Sequence, residues 1–75
     1  MTSIDLSNLT FNDCPDWYKN ISSKTIASPD EYTAEFIEVS GFDINFEYRY
    51  DSKNVTRRII SGEDKDILMM ILKWS

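Results

Sequence analysis

The chain has no histidine among its 75 residues. That removes the commonest general base, the usual member of a catalytic triad and the commonest metal ligand. It has one cysteine, Cys14, so no intrachain disulfide forms and a reducing compartment is expected. Cys14 precedes Pro15 near an expected helix start, where a thiolate would be stabilised, but no activating base accompanies it. It reads as a small apolar residue at the head of a helix. Only two glycines are present, and neither Gly41 nor Gly62 belongs to a phosphate-cradling pattern. Glu63, Asp64 and Asp66 match no calcium loop; compensation of a helix dipole accounts for them. The sequence therefore leads us to expect no enzyme, no cofactor and no metal ion.

Long apolar runs are missing as well. The longest, Ile67 to Leu72, is far short of the roughly 20 residues a bilayer requires. The first residues lack the basic start and apolar stretch of a secretory leader. A soluble, cytoplasmic protein with no membrane contact is expected. Asn-x-Ser/Thr occurs at Asn8, Asn20 and Asn54, and in that setting the matches are coincidental. With 75 residues the chain is one small domain burying only roughly 60–65 % of its unfolded surface. A partner subunit would add to a thin stability margin.

What is present is an alternation. Phe42, Ile44, Phe46, Tyr48 and Tyr50 fall on one side of an extended chain, and Asp43, Asn45, Glu47 and Arg49 on the other. Side chains in a strand switch faces at every residue, so this is a half-buried antiparallel strand. Around it the sequence predicts an arm over residues 1–12 and a short helix over 13–23. An antiparallel sheet over 31–61 and a helix over 62–74 follow. Ile4, Asp5 and Leu6 allow a short edge strand within the arm. Asp13, Pro15 and Asp16 suit a helix start, with Trp17, Tyr18 and Ile21 on its core face. Ala27, Ser28, Pro29 and Asp30 are loop chemistry.

Glu31 to Ser40 reads as a strand turning at Ser40 and Gly41 into the central strand, which leaves Phe36 on the wet side. A second turn at Asp51 to Asn54 leads into a third strand. Pairing Tyr50 with Val55 sets Phe46 opposite Ile59, and Glu47 opposite Arg58 as a cross-strand ion pair. The expected fold is α+β: a three-stranded antiparallel β-meander, a C-terminal α-helix on one face and a short N-terminal helix.

The last helix has Ile67, Met70, Ile71 and Trp74 as its core stripe. Leu68, Met69 and Leu72 widen its apolar surface beyond what one sheet face can cover. A homodimer, an accessory partner or the N-terminal arm is expected over them.

Charge is unevenly spread. Residues 1–48 carry nine acids against two lysines, whereas residues 49–75 carry six bases against four acids. No base lies between Lys24 and Arg49. Phe46, Tyr48 and Tyr50 with Arg49, Lys53, Arg57 and Arg58 nearby resemble a single-strand nucleic-acid platform. A net charge of −5 and the need for an apolar face under the last helix argue against direct nucleic-acid binding. Alternate residues of a strand are about 6.8 Å apart, near the spacing of successive phosphates. Glu38, Asp43 and Glu47, flanked by Glu31 and Glu35, are thus candidates for a phosphate-mimicking row. The leading expectation is a non-catalytic inhibitor or regulator whose acidic face blocks the basic groove of a larger protein. Small phage-encoded antagonists of host defence are of this size and charge, and would act in the host cytoplasm. The alternative is a homodimeric or accessory assembly module working through Leu68, Met69 and Leu72.

Overall fold

The alternating segment forms the strand it implies, and the rest of the chain is arranged about one face of it. In the computed structural model, residues 1–25, 31–52 and 54–75 are described. The elements are β1 (Thr2–Asp5), one 3-10 turn (Phe11–Asp13), α1 (Asp16–Ser23), α2 (Tyr32–Ser40), β2 (Ile44–Asp51), β3 (Asn54–Gly62) and α3 (Asp64–Trp74). The three strands make one antiparallel sheet in the order β1-β3-β2. The fold is α+β, with the C-terminal helix packed on the sheet and a short helix near the N-terminus. The loop expected at residues 27–30 lies outside the described residues, as does Lys53 in the second turn.

The segment that supplies the third strand differs from the expected one. Residues 31–40 are not a strand but the helix α2, and the strand beside β3 is β1 from the N-terminal arm. The reason is visible at Phe36. As a strand, 31–40 would have placed this ring in water. As a helix it brings Tyr32, Phe36 and Val39 to one face at helical spacing, and Phe36 is 0 % exposed. Gly41 ends the helix at φ 80°, a left-handed conformation that suits a residue without Cβ. Its N–H donates to the Glu38 carbonyl at 3.2 Å.

The β2–β3 register begins as expected, with Tyr50 opposite Val55, and then slips at a bulge between Arg49 and Tyr50. Thr56 is the extra residue, and beyond it every pair moves by one. Phe46 therefore faces Ile60, not Ile59, and Glu47 faces Ile59, not Arg58. Glu47 finds its cations in Arg57, at 3.3 Å, and Arg49, at 3.7 Å. Arg58 is turned to the core side, opposite Tyr48.

The core lies between the sheet and the helices. Trp17, Tyr18 and Ile21 of α1, Phe36 of α2, Ile44 and Phe46 of β2, Ile60 of β3, and Ile67 and Met70 of α3 are all buried. Five rings meet at its centre: Tyr18, Tyr32, Phe36, Phe46 and Tyr48. Phe36 and Phe46 are 4.3 Å apart and Tyr32 and Tyr48 4.5 Å, in tilted pairs that such quadrupoles favour. Two polar ties hold helix ends. Trp74 Nε1 donates to the Ser40 carbonyl at 3.0 Å, joining the last turns of α3 and α2. Thr2 Oγ1 donates to Asp64 Oδ1 at 2.5 Å and the Met1 ammonium lies 3.2 Å away, joining β1 to the head of α3. The hydroxyl and then the ammonium hold the Asp64 carboxyl below the usual range.

Candidate interaction surfaces

α3 divides along its length. Ile67 and Met70 are buried, and Ile71 and Trp74 pack partly against the core. That is the expected core stripe. The opposite side carries Leu68, Met69 and Leu72, which are 59, 46 and 70 % exposed. Residues i, i+1 and i+4 of a helix lie within one broad face, so these three form one contiguous apolar strip. The N-terminal arm does not cover them: it is engaged as β1, paired with β3. Large apolar side chains gathered on one face mark contact surfaces more often than singly scattered ones do.

The three acids expected in one row and the two expected to flank it are distributed over three places. Glu31, the N-cap of α2, and Glu35 and Glu38 within it follow at i, i+4 and i+7, and line a shallow groove with Ala34 and Val39. Their heights along the axis differ by about 6 and 4.5 Å. Asp43 is exposed in the turn between α2 and β2. Glu47 lies on the uncovered face of the sheet, bound to Arg49 and Arg57. A strand row of Glu38, Asp43 and Glu47 is therefore not formed. Instead α2 presents three carboxylates on one face, which a strand reading of 31–40 could not show.

The aromatic platform considered for nucleic acid is occupied. Phe46 is buried, and Tyr48 stacks on Tyr32 beneath α2. Only Tyr50 remains exposed. Arg49 and Arg57 are on the other face, engaged with Glu47. Among the described residues no group of three or more His, Cys, Asp or Glu is placed to hold a metal ion. No helix among them is long and apolar enough to cross a membrane.

Arg58 is the residue that sequence reasoning placed on the wet face and the structure buries. A strand arginine flanked by Arg57 and Ile59 reads as solvated; only the bulge at Thr56 re-aims it. Cys14 is buried beside it, its thiol donating to the Thr10 carbonyl at 3.3 Å.

These features define a class: a small helix-covered antiparallel sheet with an apolar strip on its last helix and an acidic strip on its second. No family model matches the chain, and neither does any curated protein or solved structure.

Proposed function

We propose that the protein is a non-catalytic binding module of the cytoplasm that pairs with a second copy of itself through α3. The observation that carries this reading is the joint exposure of Leu68, Met69 and Leu72. The choice of a second copy as occupant rests on charge. Asp66 and Lys73 are seven residues apart, two helical turns, and border the strip on the same side. In an antiparallel pair related by a twofold axis, that side of one helix meets the same side of the other, run in reverse. Each Lys73, whose ammonium rests over the Phe42 and Trp74 rings in the single chain, would then turn outward to the partner's Asp66, while the three apolar side chains interdigitate at the centre.

Sedimentation of the wild-type chain against Leu68→Asp and Leu72→Asp tests the reading. A concentration-dependent dimer that becomes monomeric in both variants, with the circular dichroism of each unchanged, is the expected result. A wild type that is monomeric at every concentration overturns it.

The acidic strip of α2 favours a second role compatible with the first. Glu31 at the N-cap and Glu35 and Glu38 within the helix follow one another at intervals of about one turn. Their spacing suits successive phosphate positions, and a larger protein with a basic nucleic-acid groove is the partner this surface fits. The protein would then act as an inhibitor of that partner, of the kind phages direct at host defence. Attraction between exposed charges is screened by salt. Added salt and the triple change of Glu31, Glu35 and Glu38 to Lys should each abolish capture of such a partner without altering the dimer. Capture that survives both excludes the acidic role.

A further inference from the structure

Arg58 is 7 % exposed, and among the described residues it forms no ion pair with a carboxylate. The ion pairs among the described residues are Met1 with Asp64, Lys19 with Asp16, and Glu47 with Arg49 and Arg57. An arginine keeps its charge inside a protein, and a buried charge without a counter-charge is costly. What surrounds this guanidinium is neutral. Nη1 donates to the Leu9 carbonyl at 2.7 Å and to Cys14 Sγ at 3.6 Å. The guanidinium carbon stands 5.7 Å from the centre of the Tyr18 ring, and Nε is buried with no hydrogen-bond partner among the described residues.

The same residue lines a groove. Its walls are residues 7–10 on one side and Asn54 with Val55 on the other. The groove exists because β1 stops early. Asp5 accepts the Ser7 N–H at 2.9 Å, a local turn, and β1 pairs with β3 only from Ile59 to Gly62. The chain then leaves the sheet, with a last backbone bond from Leu6 N–H to the Arg58 carbonyl at 2.7 Å. The Arg58 N–H is taken by Ser7 Oγ at 3.0 Å. Between the departing loop and the first half of β3 lies a cleft floored by a cation, edged by the neutral polar groups of Ser7, Asn8 and Asn54 and the apolar Leu9 and Val55.

We propose that this cleft is a binding site for a carboxylate, which supplies the missing counter-charge of Arg58. A planar guanidinium fork matches the two oxygens of a carboxylate. One cation suits a monoanion. A phosphate dianion would need a second cation, and among the described residues no lysine lines the cleft. Leu9 and Val55 suit an apolar group attached to the carboxylate. A free organic acid and the C-terminus of a polypeptide share that chemistry. This site is independent of the α3 strip and of the acids of α2.

The test is an NMR titration that follows the Arg58 Nε–Hε signal and the side-chain amides of Asn8 and Asn54. Acetate is added against sodium chloride at constant ionic strength. A short peptide ending in leucine with a free C-terminus, and its amide, form the second pair. We expect saturable shifts with acetate and none with chloride, and binding of the free-acid peptide but not of the amide. Affinity for the peptide about tenfold above that for acetate, roughly the effect of 1.4 kcal/mol, assigns a polypeptide end. Equal affinity assigns a small organic acid. Arg58→Met abolishes the response. Because that variant changes a buried residue, exposed Asn54→Asp serves as the second: a like charge at the mouth weakens acetate binding severalfold. Equal response to chloride, equal binding of the amide, or unchanged affinity in Asn54→Asp overturns the proposal. So does fast reaction of Cys14 with a thiol reagent at neutral pH that is lost in Arg58→Met, since a thiolate would then already be the counter-charge.

Discussion

Tyr18 is enclosed by Phe11, Trp17, Phe36 and Phe46, and the Arg58 guanidinium lies over its ring. Its hydroxyl meets that of Tyr32 at 3.2 Å, and the Tyr32 hydroxyl meets Ser22 at 2.6 Å. Burial first, and then the Tyr32 hydrogen bond, push the Tyr18 phenol far above its ordinary range; burial raises Tyr48 too. For such a group the stabilisation is complete below the unfolded phenol's value of about 10. As pH rises past it, the unfolded chain ionises while the native state still holds its protons, so stability falls. Urea midpoints should therefore drop steeply above about pH 10. Tyr18→Phe should lose about 1 kcal/mol at neutral pH through the broken hydrogen bond and show a shallower alkaline decline. Equal declines in the two proteins would show that the Tyr18 phenol ionises in the native state.

Helix α2 is held to the sheet through Tyr32, which meets Phe46 and Tyr48, and through the fully buried Phe36, which touches Tyr18, Tyr32 and Phe46. Phe36→Ala should cost about 3–5 kcal/mol in chemical denaturation, against roughly 4–11 kcal/mol for a whole domain of this length. A cost within about 0.5 kcal/mol, usual for surface positions, would fit a ring on the wet face of a strand. The sequence carried β2 plainly, because one strand with one wet face writes an uninterrupted period of two. It carried α3 through Ile67, Met70, Ile71 and Trp74, and the surplus of Leu68, Met69 and Leu72 pointed to a cover that the N-terminal arm, paired as β1 with β3, does not supply. It carried α2 poorly. Nine residues span two and a half turns, too few for a period to emerge, and the signal lay in the conflict at Phe36 and the glycine at 41. β1 is four residues long and is specified by its partner, not by its own pattern. The bulge at Thr56 is a tertiary event, so neither the pairing of Glu47 with Arg57 nor the burial of Arg58 was legible.

At the scale of the molecule, a self-pairing α3 ties stability to concentration. If two copies bury Leu68, Met69 and Leu72 against each other, the thermal midpoint should rise with protein concentration. In Leu72→Asp it should stay constant and begin lower, and calorimetry over a dilution series reads both. The order of the strands has a separate consequence, for synthesis. β1 is translated first, yet the strand it pairs with is the last, since Thr2 lies opposite Gly62. At about 5–20 residues per second, the ribosome takes roughly 3–12 s to deliver the other half of that ladder. During those seconds the nascent chain holds an unmatched strand and the rings of α1 and α2 without the sheet that covers them. A slow stretch of codons between α2 and β3 would lengthen that exposure, and a chaperone that meets the chain there would find β1 and Trp17 before the sheet is complete.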